Sequence, residues 1–204
     1  MDRNRVLPNK YLGEVSKQYN LFDNALPHIE KEIGFFLYDY IITKNIRRIL
    51  EVGTCLGYST IFMASAIIKN QGKIFTIEKN GDLFWQARKN ILKAGLVDHV
   101  DMICADACDV LPNFTQNYDL VFQDSQKSLY VEMLDQSINL LSTNGVIIAD
   151  DTLLYLTNPY QNIKRSLYRY NSKVFSHSEL ESTIVPLGDG ITISVKKEIW
   201  YELK

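Results

Sequence analysis

The sequence has little of what marks a secreted, membrane-spanning or extended protein. Cysteine is scarce, three in 204 residues: Cys55, Cys104 and Cys108. An odd count without a pairing pattern excludes a disulfide scaffold, and C-A-D-A-C with no second pair and no nearby histidine does not make a zinc site. Reduced, buried thiols are expected. No apolar run reaches the ~18 residues of a membrane span. The opening MDRNRVLPNKYLGEV carries no apolar stretch of the signal-peptide kind, so a cytoplasmic location away from membranes is expected. Proline (5) and glycine (10) are few and scattered, and no linker, repeat or low-complexity segment divides the chain. No charge dominates: 22 Lys and Arg stand against 24 Asp and Glu, a net charge of -2. That balance argues against a generally basic nucleic-acid binder and leaves room only for a local patch.

What is present is ordinary for a globular chain: 46% hydrophobic and 23% charged residues. One domain over 1–204 is expected, with a helical arm over 1–45 and a core over 46–204. Apolar residues at Ile29, Ile33, Phe36, Leu37, Tyr40 and Ile41 recur at three and four, which predicts a helix over 28–43. Strands are predicted at 48–52, 73–78, 100–104, 118–122 and 146–149. Helices are predicted between them at 59–69, 83–94 and 130–141, and Gly95 sits where a C-cap glycine belongs. Such alternation builds right-handed βαβ units and a parallel sheet with helices on both faces. A further helix is read over 163–170. Two last strands, 182–187 and 191–195, are split by Gly188-Asp189-Gly190, a hairpin signal. The expected fold is therefore α/β and Rossmann-like: a seven-stranded, mostly parallel sheet closed by an antiparallel C-terminal hairpin.

In open α/β sheets, ligands bind beyond the carboxyl ends of the strands. The first such turn is Glu51-Val52-Gly53-Thr54-Cys55-Leu56-Gly57-Tyr58-Ser59. Its glycines permit close backbone approach, but their spacing is not the G-x-G-x-x-G that cradles a pyrophosphate. A nicotinamide dehydrogenase fits poorly for that reason. Glu51 at the strand end suits an ammonium group or hydroxyls better than a phosphate. Glu78 ends the second strand, where a ribose-binding acid belongs, and Asp106-Ala107 follows the third, within reach of an adenine edge. Three acids at three successive strand ends fit a nucleoside with an amino group and no phosphate, which describes S-adenosylmethionine.

Strand four ends at Asp124, followed by Lys127 and Tyr130. Strand five ends at Asp150-Asp151. Three converging carboxylates repel one another unless a cation compensates, and a hard divalent ion such as Mg²⁺ suits oxygen ligands. A solvated turn at Asp150-Asp151 is the alternative reading. Lys127, beside that rim, is a candidate to take a proton from a metal-bound hydroxyl.

From Pro27 to Lys196 the chain resembles the cation-dependent O-methyltransferases, the family of the catechol and caffeoyl-coenzyme A enzymes and their bacterial relatives. The matching stretches are I-L-E-V-G-T-C-L-G-Y-S-T, I-F-T-I-E, the D-x-x-K-x-x-Y of Asp124, Lys127 and Tyr130, G-V-I-I-A-D-D, and P-L-G-D-G. The terminal hairpin is also the ending of a methyltransferase sheet. The resemblance implies a cofactor site of Glu51, Gly53, Gly57, Tyr58, Ser59, Glu78, Asp106, Ala107 and Asp124. It implies Mg²⁺ (or Mn²⁺ or Ca²⁺) on Asp124, Asp150 and Asp151, catalysis by Lys127 and Asp124 with Lys127 as the base, and a homodimer. Two departures stand out. Asp151 occupies a place where the family usually has Asn, and the stretch after it, T-L-L-Y-L-T-N-P-Y, lacks the usual glycine. The acceptor stays open between a small catechol-like molecule and the 5-hydroxyuridine of a tRNA anticodon, which some bacterial relatives methylate. Arg165, Arg169 and Lys173, spaced at four beside Lys164 in an acid-free stretch, form either a phosphate-binding patch or a solvated helix face. A non-catalytic S-adenosylmethionine-binding protein is the rival from another class.

Overall fold

The computed structural model describes residues 12–15, 17 and 28–198. Its contacts group into two compact units, Met1–Ala107 and Cys108–Lys204. Residues 12–15 and 17 are helical, with Leu12 and Val15 buried; the rest of the expected arm up to residue 27 lies outside the described residues.

The first unit holds α1 (Lys31–Thr43), β1 (Arg48–Val52), α2 (Tyr58–Ile67), β2 (Lys73–Glu78), α3 (Gly81–Lys93) and β3 (Val100–Cys104). The three strands pair in parallel, Arg48 to Val52 against Lys73 to Ile77 and Ile74 to Glu78 against Val100 to Cys104. Their carboxyl ends are therefore level, which sets Glu51 and Glu78 near one rim. Ile49, Leu50 and Val52 are all buried, as continuous burial on both faces of a parallel strand requires. α2 is buried almost throughout, so it shows no amphipathic period; the sequence runs it to Lys69, but Ile68–Asn70 tighten into a 3₁₀ turn. α3 starts two residues earlier than its apolar pattern, because the Asn80 side chain accepts from the N–H groups of Asp82 and Leu83. At its far end Gly95 takes φ 72°, and the Leu96 N–H reaches back to the Ile91 carbonyl at 3.1 Å, as expected of a glycine-closed helix.

The second unit runs through the short α4 (Ala107–Val110, whose first residue closes the first unit), β4 (Tyr118–Gln123), α5 (Tyr130–Asn139), β5 (Leu141–Ala149), α6 (Gln161–Ser176), β6 (Leu180–Val185) and β7 (Ile191–Lys196). β4 and β5 are parallel, and β7 pairs antiparallel with both β5 and β6. The seven strands are ordered β3-β2-β1-β4-β5-β7-β6, the expected mostly parallel sheet with an antiparallel ending. Several boundaries differ from the sequence reading. β5 begins at Leu141, because Ser142 to Gly145 are carried within the strand across a register shift opposite Tyr118 and Leu120. β6 sits two residues earlier than read, since Leu180 pairs with Lys196 and Val185 with Ile191; Pro186 cannot donate to the ladder and ends it. α6 extends to both sides of the expected 163–170. Among the described residues no helix is long and apolar enough to cross a membrane. Cys104 is exposed, not buried as expected, while Cys55 and Cys108 are partly covered.

Candidate active site

In the first unit, the loop from Gly53 to Gly57 turns β1 into α2. Gly57 takes φ 85° and Cys55 φ 50°, and the left-handed bend at Gly57 is one that a side chain would strain. Glu51, wholly buried, is enclosed by hydroxyls. Its Oε1 accepts from Ser59 at 2.5 Å, and its Oε2 accepts from Thr60 and from Thr76, each at 2.6 Å. Thr76 spends its one proton on Glu51, so the 2.6 Å contact between the Thr54 and Thr76 hydroxyls has Thr54 as donor. Glu51 thus ties β1, β2 and α2 together beneath the loop. The sequence reading found Glu51 and Ser59 but not Thr54, Thr60 or Thr76; single threonines carry no pattern that reveals a shared buried partner.

Glu78 is held differently. Its Oε2 accepts the Cys55 N–H at 2.8 Å and its Oε1 the Asn80 N–H at 2.9 Å. Two backbone donors fix the carboxylate plane, and each oxygen keeps a lone pair for a further donor. Gly53 is pinned to β2 by its N–H on the Ile77 carbonyl, and Ala105 by its N–H on the Glu78 carbonyl. Asp106 and Ala107 follow directly at the start of α4. Tyr58 is buried, with its ring edge-on to Phe62 and tilted against His28.

In the second unit, Asp124 follows β4, Lys127 opens a 3₁₀ turn, and Tyr130 begins α5. Asp150 and Asp151 follow β5. The Lys127 ammonium donates to Asp124 Oδ1 at 3.0 Å, Asp151 Oδ2 at 2.9 Å and the Tyr130 hydroxyl at 2.8 Å. An ammonium has three donors, and all three are placed. Burial opposes its charge, but Tyr130, Asp124, Asp151 and Asp150 outweigh burial and hold its pKa well above the usual lysine value. Asp150 is 1% exposed. Burial first, then Asp124 and Asp151, push its pKa well up against the pull of Lys127. Asp151 sits at φ 59°, a conformation that Asp and Asn tolerate better than most residues. Among the described residues no three His, Cys, Asp or Glu side chains are gathered as a metal site; the Lys127 ammonium stands between Asp124 and Asp151.

The loop bearing Asp150 and Asp151 is braced from behind. The Thr152 and Leu153 N–H groups donate to the Gly190 and Asp189 carbonyls, each at 2.8 Å. Asn171 of α6 donates to the Thr152 carbonyl at 2.9 Å, and the Thr192 hydroxyl lies 2.8 Å from that of Thr152. The late P-L-G-D-G motif therefore supports the aspartate loop. On α6, Lys173 is taken by Asp135 at 2.7 Å, which leaves Arg165 and Arg169 as the outward charges of the basic face.

The O-methyltransferase family profile matches residues 8–197. The chain is 29% identical over 164 residues to a catechol O-methyltransferase of Niastella koreensis, covering 74% of each protein. It superposes on a cofactor-bound mycobacterial protein, Rv0187, with a TM-score of 0.86 and 25% identity, covering 97% of this chain and 94% of that one. An O-methyltransferase from Bacillus cereus, in complex with SAH, matches with a TM-score of 0.84 and 23% identity, over 95% and 94% of the two chains. Rossmann-like sheet, strand-end acids and family profile agree: the chain belongs to the O-methyltransferase family.

Proposed function

We propose that the protein transfers a methyl group from S-adenosylmethionine to a hydroxyl of a small, catechol-like acceptor, with a divalent cation assisting. The observation that carries this reading is the second-unit cluster, in which the Lys127 ammonium is held between the Asp124 and Asp151 carboxylates, with the buried Asp150 next to Asp151 in the chain. The all-oxygen donor set suits a hard cation such as Mg²⁺, Mn²⁺ or Ca²⁺. An incoming cation would also relieve the mutual repulsion of these crowded carboxyl groups. Asp124, Asp150 and Asp151 would hold the ion. Bound there, it would supply Lewis acidity toward the acceptor hydroxyl and lower the pKa of a nearby ammonium.

This chain's own residues would do the rest. Glu78, its plane fixed by two backbone donors, accepts from the ribose hydroxyls. Glu51 acts through Ser59 and the loop it shapes, and Gly53, Gly57, Tyr58, Asp106 and Ala107 complete the first unit's share of the cofactor's surroundings. Lys127 takes the acceptor proton once it has given up one of its own. The O–C bond forms as the C–S bond breaks, the electron pair passes to sulfur, and the sulfonium becomes a neutral thioether. Alignment of oxygen, carbon and sulfur supplies much of the rate.

Labelled S-adenosylmethionine and catechol, with and without chelator, test the reading. Methylated catechol is expected, lost on chelation and restored by Mg²⁺. Cofactor binding with no transfer to catechol or to cell extract would replace it with the non-catalytic reading. A second acceptor class, tRNA, is favoured by one feature: between Asp151 and Glu179 there is no acid, and Tyr160, Tyr168, Arg165 and Arg169 are exposed there. Loss of methoxyuridine from the tRNA of a strain lacking the protein would decide for it. A cytoplasmic location, expected from the sequence, is checked by fractionation, and a homodimer, implied by the resemblance, by sedimentation at twice the chain mass.

A further inference from the structure

Tyr130 is wholly buried at the first position of α5, and its hydroxyl joins three parts of the second unit. It accepts a Lys127 N–H at 2.8 Å. It lies 2.9 Å from the Gln123 carbonyl at the end of β4 and 3.2 Å from the Asp150 carbonyl just beyond β5. A phenol has one proton, so the shorter contact to Gln123 takes most of it and Asp150 shares the rest. The Gln123 carbonyl also accepts the Asp150 N–H at 3.0 Å. The phenol oxygen therefore sits where β4 and β5 end, clasping both carbonyls on one side and the lysine on the other. Its ring is fixed edge-on against Tyr170, with centroids 5.3 Å apart and planes at 73°, and the Lys127 Nζ lies 5.0 Å from its centroid.

The three acceptors of Lys127 are not equivalent. Asp124 and Asp151 are carboxylates, and any cation or acceptor hydroxyl entering the cluster competes with Lys127 for them. The Tyr130 hydroxyl is neutral and buried, and it is already committed to two backbone carbonyls. It alone keeps its hold on the amine when the carboxylates are drawn elsewhere. Lys127 and Tyr130 are three residues apart across the start of a helix, which puts them on one face. We propose that Tyr130 is a positioning residue for methyl transfer: its hydroxyl keeps the Lys127 amine in place while Asp124 and Asp151 serve other partners. The inference rests on the reading of Lys127 as the group that takes the acceptor proton.

Tyr130→Phe keeps the ring and removes only the oxygen. With catechol and labelled S-adenosylmethionine, kcat is expected to fall about 10- to 100-fold, short of the full worth of a positioned base, while both KM values change less than threefold. Lys127→Met is expected to lose more, and adding Tyr130→Phe to it should cost nothing further, since residues acting as one unit are not additive. If Lys127→Met keeps its rate, the proton-acceptor reading fails on its own account. If Lys127→Met loses rate and the double variant loses the product of both factors, Tyr130 acts independently of the lysine and the inference is overturned. Crystal structures of the wild type and of Tyr130→Phe, each with Mg²⁺ and catechol, decide without any turnover. With the carboxylates engaged by those partners, a Lys127 Nζ displaced in the variant relative to the wild type is expected, and an Nζ in the same place in both overturns the proposal.

Discussion

Glu78 shows how a single side chain can be both structural and available. The Cys55 and Asn80 N–H groups hold its two oxygens, which fixes their direction without exhausting their lone pairs. Glu78→Ala is expected to weaken S-adenosylmethionine binding by roughly 1.5–3 kcal/mol, the worth of a charged hydrogen-bond partner; calorimetry showing wild-type affinity would remove the ribose role. Asp150 illustrates the opposite case, a buried acid under pressure to be neutral. Its folded pKa lies well above the ordinary 3.8, so the folded chain binds more protons than the unfolded chain in that window. Stability therefore falls as pH rises through it. In chelator at pH 8, Asp150→Asn is expected to raise Tm by about 2–4 °C, the response of a chain this size to ~1 kcal/mol, and the gain should shrink as pH falls toward 4. A melting series showing no pH trend counts against the crowding of these carboxylates. Asp151→Asn restores the residue usual in the family and frees Lys127 from one carboxylate. Turnover equal to or above wild type is expected, and a rate below one-tenth of wild type would show that the second carboxylate is needed.

At the scale of elements, the hairpin turn between β6 and β7 acts on the loop after β5. Gly190 takes φ 86°, and a Cβ there would stand 2.4 Å from the Leu153 side chain. Its carbonyl also receives the Thr152 N–H. Gly190→Ala is expected to cost about 1–3 kcal/mol through overpacking and backbone strain, and to lower kcat by displacing Asp150 and Asp151. Urea unfolding and initial rates check the two effects; a destabilised variant with an unchanged kcat would show that the turn supports the fold without steering the aspartates. The same network explains why α6 outruns its sequence pattern. Asn171 and Ser172 read as helix-neutral and polar, yet Asn171 is buried and engaged with Thr152 and Thr192, and that tertiary anchoring carries the helix through to Ser176.

Over the whole molecule, a net charge of -2 supplies no general attraction to a polyanion, so recognition of RNA would fall to the outer face of α6. With Lys173 engaged by Asp135, that face is led by Arg165 and Arg169. Replacing both with Gln is expected to leave catechol turnover within twofold of wild type. It should weaken tRNA binding and flatten its salt dependence only if tRNA is the acceptor. A gel-shift salt titration and the catechol assay together separate the two acceptor classes.

The sequence by itself determined the alternation of strands and helices, the antiparallel ending and the strand-end acids. Each is written in local pattern: apolar runs of strand length, glycines at turns, a carboxylate after each run. Glu51, Glu78, Asp124, Asp150 and Asp151 were legible for that reason, and so was Lys127. The tertiary structure decided what those groups face. That Glu51 is enclosed by Ser59, Thr60 and Thr76, that the Lys127 ammonium is shared by Asp124, Asp151 and Tyr130, and that Gly190 and Asn171 brace the aspartate loop are contacts between residues far apart in the chain. Threonines, a tyrosine and an asparagine have many possible hydrogen-bond partners, and only packing chooses among them. Boundaries followed the same logic. β6 is placed by its pairing with β7 and α6 by the buried Asn171, because neither element's own residues outweigh the partners that the fold supplies.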